Sequence, residues 1–298
     1  MLALFSDIIA VMAPVFLIAA LGYGWARAEL PYSGPFITTF MINVATPCLV
    51  FATLLRLRFE AAELATIAGA SLACLTLAAA AAFAILRLSG QSLRIYLPAL
   101  IFPNSGNMGM PLCLFAFGEA GLGLAVVFFA VLAVAQFTLG PAIAAGRLDL
   151  GQMARTPLVH AVALALLLQL LGLELPRWAA NTTKLLGDCA VPLMLLSLGV
   201  ALASLRVTGL GRAVAMSTLR LVLGFAVGLT VATALGLEGT IRGVVILESS
   251  MPVAVFNYLW AVRYQTAPEE VAGMVLGSTL LAFAALPPLL WLVMPAPA

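Results

Sequence analysis

The stretch Ile101-Phe-Pro-Asn-Ser-Gly-Asn-Met-Gly-Met-Pro-Leu112 interrupts a long apolar segment that would otherwise be interpreted as one membrane helix. It contains two prolines, two glycines, two asparagines and a serine. Proline removes a main-chain donor and clashes with the preceding turn, and glycine lets the chain leave helical geometry. Because an unwound backbone is tolerated at membrane depth only where it is buried in protein or lines a wet cavity, the stretch predicts a broken helix beside a cavity.

A second break lies far down the chain, at Glu248-Ser-Ser-Met-Pro-Val253. Two interrupted apolar segments in corresponding positions of two halves are the best indication that a sequence gives of a transporter's substrate site. The two stretches therefore predict a shared cavity near the middle of a membrane.

The composition excludes a soluble protein. Hydrophobic residues make up 64% of the chain and charged residues 9%, against about 25% charged residues in an ordinary soluble domain. One histidine and one lysine in the whole chain nearly exclude chemistry that needs a histidine cluster. The cysteines are interpreted as small buried hydrophobes, because they lie in apolar segments without a CxxC pair: Cys48, Cys74, Cys113 and Cys189.

A membrane span needs about 20 mostly apolar residues, and ten segments of the chain satisfy that condition. They lie at about 8–26, 35–55, 62–87, 94–116, 120–145, 156–175, 179–204, 211–235, 239–262 and 269–294. The fourth and ninth contain the two breaks. The sequence therefore predicts an all-α polytopic membrane protein of ten transmembrane helices.

The two halves of the chain resemble each other. Asn43-Val-Ala-Thr-Pro47 in the second segment parallels Asp188-Cys-Ala-Val-Pro192 in the seventh, and Met110-Pro111 parallels Met251-Pro252. Five spans per half is an odd number, so the second copy must enter the membrane from the opposite side. We therefore predict an inverted repeat with crossing broken helices, formed by a first repeat at 1–145, a short cytoplasmic link at 146–155 and a second repeat at 156–298.

The basic residues indicate an orientation, because cytoplasmic links carry more of them. With the N-terminus outside, the inner links carry eight: Arg27, Arg87, Arg94, Arg147, Arg155, Arg206, Arg212 and Arg263. The outer side carries five: Arg56, Arg58, Arg177, Lys184 and Arg242. We expect both termini on the outer side of a bacterial inner membrane.

The two breaks offer groups that bind an anion. A half-helix that begins near Met110 and Pro111 would present free main-chain N–H groups and the positive end of its dipole to a cavity. Few cationic side chains accompany these helix ends, so a small carboxylate is the expected substrate; two ordinary proline kinks are the alternative. The predicted substrate-binding residues are Asn104, Ser105, Asn107, Met110, Pro111, Gln136, Ser249, Ser250, Met251, Pro252 and Asn257.

Two acidic residues lie inside predicted spans, Asp188 and Glu248. An acid at mid-membrane is costly, and its presence indicates function. Together with Asn43 and Thr46 they are the predicted coupling residues, for a sodium ion near Asp188 or for a proton, and we expect no other cofactor. Alternatively, either acid lies near the interface or pairs with Arg220, which is itself a candidate for a substrate counter-charge or a structural ion pair.

Several motifs resemble the auxin efflux carrier family, which includes bacterial permeases for malonate, malate and similar acids. The similar stretches are Asn104-Ser-Gly-Asn-Met-Gly-Met-Pro-Leu112 with Phe117-Gly-Glu119, Ala45-Thr-Pro-Cys-Leu-Val-Phe51, Ala190-Val-Pro-Leu193 with Leu198-Gly199, and Ser249-Ser-Met-Pro-Val-Ala254 with Ser278-Thr279. Their order and spacing cover nearly the whole chain.

The resemblance implies a five-plus-five inverted repeat whose broken helices cross at Pro111 and Pro252. It also implies a scaffold domain and a transport domain, each built from both repeats, a homodimer, and transport of organic anions. The ten-residue link between the halves is typical of a bacterial permease. Glu248 has no counterpart in the family pattern. An acid beside the second break leaves the charge of the expected substrate undecided.

The sequence thus favours a secondary transporter of small carboxylates that works by alternating access, and no nucleic-acid partner is expected. A cation–proton exchanger that uses Asp188 and Glu248 without an organic substrate is the alternative. The chain has no Walker loop for ATP, no GxSxG motif and no acid pair at metal spacing, which argues against a pump and an enzyme. A receptor with a transporter-like body is a further alternative, but no appended signalling domain supports it.

Overall fold

A computed structural model describes residues 2–56, 61–145, 157–205 and 210–294, and no β-strand forms within these ranges. The predicted link at 146–155 lies outside the described residues. The first half forms α1 Leu2–Arg27, α2 Gly34–Phe40, a π-helical turn Met41–Ala45, α3 Thr46–Arg56, α4 Ala61–Leu88, α5 Leu93–Ile101, a second π-helical turn Ser105–Gly109 and α6 Met110–Ala145.

The second half forms α7 Pro157–Leu170, α8 Arg177–Asp188, α9 Ala190–Ser204, α10 Leu210–Ala234, α11 Gly239–Ser249, α12 Val255–Tyr264 and α13 Pro268–Val293. Helix α6 is bent at Gly118, whose φ of 66° lies outside the helical region, so the fourth and fifth predicted segments meet there. The elements follow the ten predicted segments in order.

Seven helices in the described residues are long and apolar enough to cross a membrane, and α7 is a shorter apolar helix. The two interrupted helices, α5 with α6 and α11 with α12, account for the predicted broken segments. The prediction of an all-α polytopic membrane protein is confirmed. The division into two repeats and into scaffold and transport domains stays a prediction.

The two interrupted helices cross where both chains are extended. Pro103 and Val253 form an isolated antiparallel bridge. The N–H of Asn104 donates to the Pro252 carbonyl at 2.7 Å, and the N–H of Ala254 donates to the Phe102 carbonyl at 3.2 Å. These reciprocal bonds satisfy main-chain groups that neither helix can satisfy by itself.

The crossing proline of the fourth segment is therefore Pro103, and the expectation that Pro111 lies at the crossing is wrong. Helix runs unbroken through Pro111 because the π-helical turn Ser105–Gly109 comes directly before it, and a wider turn relieves the ring's clash with the preceding carbonyl. Pro47 is accommodated in the same way, two residues after the turn Met41–Ala45. Because both segments contain a Met-Pro pair, the sequence did not indicate that Pro111 lies within a helix while Pro252 lies at the crossing.

The helices pack in two groups. Helix α1 packs along α9, and α3 packs on α7 and α8, while α4, α5, α6 and α10 to α13 pack mainly on one another. Glycines permit the close approach of α1 and α9: a Cβ on Gly199 would lie 1.9 Å from the Ala19 carbonyl oxygen, and one on Gly22 would lie 2.1 Å from that of Leu196. Such contacts between small residues are typical of membrane helix pairs.

Candidate functional site

Arg220 of α10 stabilises the crossing by hydrogen bonds to main-chain carbonyls. Its guanidinium, 1% exposed, donates to the Leu100 carbonyl at 2.6 Å, to that of Ser249 at 2.6 Å and to that of Met251 at 3.1 Å. These carbonyls end α5 and α11, where the helix dipoles are negative. In the described residues Arg220 pairs with neither Asp188 nor Glu248, so the ion-pair interpretation is wrong, and each of its three guanidinium nitrogens donates to a main-chain carbonyl.

Glu248, in the last turn of α11, is completely buried. The Cys113 thiol is 3.7 Å from its Oε1, and the Ser105 hydroxyl lies beside the carboxyl group. A Cβ on Gly109 would lie 2.4 Å from Oε2, so only glycine leaves room for the carboxyl there. Oε2 has no hydrogen-bond partner within the described residues. Glu248 thus occupies a tight, mostly apolar niche, to which the described part of the chain contributes no cationic side chain.

That niche lies against the first turn of a half-helix. The turn begins at Ser105, with Asn104 as its N-cap residue, and the N–H groups of Met108 and Gly109 both bond to the Asn104 carbonyl. The N–H groups at 105–107 are therefore the ones without helical partners. The α-helix begins at Met110, as predicted, but the π-helical turn continues it backwards, so the N–H groups without helical partners lie about five residues earlier than expected.

The other half-helix, α12, begins just after the crossing. Asn257 is buried, and its Nδ2 donates to the Phe102 carbonyl at 3.3 Å. Ser250 bonds back to the Ile246 carbonyl at 2.6 Å, whereas the Ser249 hydroxyl has no partner in the described residues. Ser278 of α13 accepts from the N–H of Val253 at 3.0 Å and supports the crossing strand.

A cavity of about 1300 Å³ lies between the two groups of helices. Its walls are mostly apolar and come from α1, α3, α4, α6, α7, α8 and α9. Two ion pairs lie in its lining, Arg56 with Glu119 and Lys184 with Asp188, the latter at 2.5 Å. The first pair joins α3 to α6 and so connects the two groups of helices.

Of the predicted site residues, only Asp188 lines this cavity. Its side chain is 56% exposed and paired with Lys184. Asn43 is exposed and its amide donates to the Thr39 carbonyl at 2.8 Å, while Thr46 is buried. The structure therefore places Asp188 in an open, ion-paired position and Glu248 in an enclosed one. Their coupling roles stay predictions.

Some residues of the crossing were not singled out from the sequence. Trp260 and Gly140 lie beside the Phe102 ring, and Gly109 and Cys113 surround Glu248. A tryptophan or a glycine in an apolar helix carries no signal of a role, because its neighbours in space are distant in the chain. Gln136, Asn257 and the serines were found because polar residues are rare in such segments.

The comparisons with known proteins agree with this architecture. The model of the family described as "Membrane transport protein" matches residues 7–149 and 143–291. An uncharacterized transporter of Methanothermobacter thermautotrophicus is 28% identical over 268 residues, which are 85% of this chain and 86% of that protein. An uncharacterized transporter of Methanocaldococcus jannaschii is 25% identical over 206 residues, 65% of this chain and 67% of that protein.

A plant protein is also similar. Auxin efflux carrier component 1 of Arabidopsis thaliana is 28% identical over 114 residues, which are 37% of this chain and 18% of the plant protein. The family match covers nearly the whole chain, and the helices and their crossing show a polytopic membrane protein. This chain therefore belongs to the membrane transport protein family that includes the auxin efflux carriers, and it is an integral membrane transporter.

Proposed function

We propose that this protein is a secondary transporter that moves small organic carboxylates unchanged across a bacterial inner membrane by alternating access. The observation that carries the proposal is the crossing of two half-helices, with the N–H groups at 105–107, which have no helical partner, beside it. A helix N-terminus attracts an anion without any cationic side chain. Arg220, a cation at the crossing, donates from each guanidinium nitrogen to a main-chain carbonyl and keeps the backbone in place.

The large cavity supplies a route to this crossing. Leu114 and Phe115 lie in its wall and directly follow Cys113, which contacts Glu248. A substrate that enters the cavity thus comes within about a helical turn of the Glu248 niche. Movement of one group of helices against the other would close the cavity on this side and open a path on the other.

Glu248 is the proposed coupling residue, and the coupling ion is a proton. A charged carboxylate is costly in a mostly apolar niche where the described residues supply no cation, so Glu248 fits there in its neutral form. The same carboxyl, once ionised, would compete with a substrate anion for the positive helix end. Binding of the anion and binding of a proton to Glu248 would then favour each other.

Asp188 is the weaker candidate for coupling. It is open to the cavity and already paired with Lys184, and a sodium site needs several oxygen ligands around a dehydrated ion. We therefore assign Asp188 to the lining of the substrate route. The orientation with both termini outside, proposed from the arginine distribution, would place this cavity on the outer side.

Uptake into proteoliposomes tests the proposal. Labelled mono- and dicarboxylates would be offered under an inward proton gradient, an inward sodium gradient, both or neither. We expect accumulation that follows the proton gradient and is insensitive to sodium. Absence of carboxylate flux, together with sodium–proton exchange that needs both acids, would replace the proposal by a cation–proton exchanger.

A further inference from the structure

A set of buried polar atoms without partners lies between the second half of α6 and α12. Gln136 Nε2, Asn257 Oδ1 and Trp260 Nε1 are buried and make no hydrogen bond within the described residues. Gln136 and Asn257 are only 5% and 3% exposed. Buried polar atoms in proteins are nearly always paired, so three unpaired ones on facing helices indicate a group that binds between them.

The helix spacing indicates that the three side chains face one notch. Gln136 and Gly140 are four residues apart on α6, and Asn257 and Trp260 are three apart on α12, so each pair shares a helix face. A Cβ on Gly140 would lie 3.4 Å from Trp260 Nε1 and 3.7 Å from the Phe102 ring. The missing side chain of Gly140 therefore leaves space next to the indole nitrogen.

The hydrogen-bonding character of the notch is fixed by its surroundings. Asn257 Nδ2 donates to the Phe102 carbonyl, so its Oδ1 remains as an acceptor. The indole of Trp260 can only donate, and the Phe137 ring holds it edge-on with a centroid distance of 6.2 Å. Gln136 can donate or accept. Within the described residues none of these atoms bonds to a charged group.

We infer that this notch is a binding site for a neutral group that both accepts and donates a hydrogen bond. Two groups of an organic acid have this chemistry, the hydroxyl of a hydroxy acid and the carboxylic acid in its protonated form. Trp260 donates to the oxygen, Asn257 Oδ1 accepts the proton and Gln136 makes the third contact. A carboxylate anion fits poorly, because its oxygen would face Asn257 Oδ1 without a proton between them.

The notch lies beside the crossing and away from the large cavity. The cavity reaches α6 only as far as Leu122, and Gln136 follows 14 residues later, about 20 Å along the helix. The site is thus positioned to hold the acid when the protein opens on its other side. The inference rests on the proposed function in one respect, that the transported ligand is an organic acid.

Two substitutions test the site through substrate discrimination. Trp260→Phe removes the indole N–H and keeps a ring, and Gly140→Ala fills the notch at a distance that is an ordinary van der Waals contact. The probes are malate against succinate and lactate against propionate, each measured at neutral and acidic pH. Trp291→Phe, at an exposed tryptophan, and Gly69→Ala, where a Cβ would meet no atom within 4 Å, are the matched controls.

If the notch binds a hydroxyl, Trp260→Phe and Gly140→Ala should each raise the KM of the hydroxy acid about tenfold, because one buried hydrogen bond is lost. The KM of the matched acid without a hydroxyl should stay unchanged. For a bound carboxylic acid, the KM of both members of a pair should rise, and only at acidic pH. An unchanged KM for every acid, or an equal rise in the control variants, would overturn the inference.

Tryptophan fluorescence tests whether an acid binds at the notch, independently of transport. A variant with Trp260 as its single tryptophan, made by W25F, W178F and W291F, would be titrated with the same acids in detergent. A saturable change in emission, abolished by Gly140→Ala, supports the site even if no carboxylate is transported and the proposed function fails. No saturable change with any acid would overturn the inference and leave only bound water in the notch.

Discussion

The N–H of Asn104 lies 2.7 Å from the carbonyl oxygen of Pro252, and this contact ties together two helix ends that are almost 150 residues apart in the chain. The reciprocal bond from Ala254 to Phe102 completes a small antiparallel bridge in the middle of the protein. Two main-chain hydrogen bonds contribute only a small stabilisation, which does not offset the electrostatic repulsion between two helix ends. The stability of the crossing must therefore depend on the side chains that surround it.

Arg220→Lys should destabilise the protein strongly. A single ammonium nitrogen cannot reach the carbonyls of Leu100, Ser249 and Met251 together, so buried carbonyls lose their donor. Loss of charge-assisted bonds of this kind costs about 3 kcal/mol or more, which corresponds to a fall of roughly 5 to 10 °C in Tm. Thermal unfolding in detergent would measure it, with the exposed Arg263→Lys as control.

A Tm of Arg220→Lys within the error of Arg263→Lys would show that the guanidinium contributes little to the crossing. The side chain would then be free to act on a substrate, as a counter-charge. Uptake measured on the same variant separates the two cases, because a counter-charge retained as lysine would preserve part of the transport.

Gly199→Ala should separate α1 from α9. The new Cβ would lie 1.9 Å from the Ala19 carbonyl oxygen, and both partners are main-chain atoms that cannot move alone. Overpacking of a tight contact costs about 1–3 kcal/mol. Gly24→Ala is the matched control in α1, since its Cβ would meet no atom within 4 Å and alanine favours a helix. Equal thermal stabilities of the two variants would contradict this account of the packing.

The sequence predicted the helices and the two breaks correctly, because hydropathy and the scarcity of polar residues decide membrane spans. It failed at the crossing residue. Met110-Pro111 and Met251-Pro252 are similar as strings, but a π-helical turn lets the helix continue through Pro111, and no one-dimensional pattern reports such a turn. Pro103 alone has the extended partner strand.

The candidate site was only partly predictable for a related reason. Glu248 was found because an acid in an apolar run is conspicuous, whereas Asp188 looked equally conspicuous and proved to lie open beside Lys184. Depth in the membrane is a property of tilt and packing rather than of position in the chain. Gly109, which makes room for the Glu248 carboxyl, could be recognised only once the two helices were seen together.

The orientation of the cavity can be tested by labelling. Asn181 is exposed in the cavity lining, so Asn181→Cys should react with a thiol reagent that does not cross membranes when it is added to intact cells. Cys48 and Cys189 would be replaced by serine beforehand, while Cys74 and Cys113 remain because they are buried. We expect labelling from outside, since the arginine distribution places this end of α8 there. Labelling only after the cells are opened would reverse the proposed topology.

Glu248→Gln should uncouple transport from protons while the fold survives. Glutamine has nearly the same shape and fits beside Gly109 without a proton to exchange, whereas the exposed Glu269→Gln changes no buried group and serves as control. In proteoliposomes, wild type and control should accumulate the substrate under an inward proton gradient. The Glu248→Gln protein should show equal uptake with and without the gradient and should still exchange internal for external substrate. Gradient-driven accumulation by Glu248→Gln would remove this residue from the coupling mechanism, and loss of exchange as well would indicate a role in binding or folding instead.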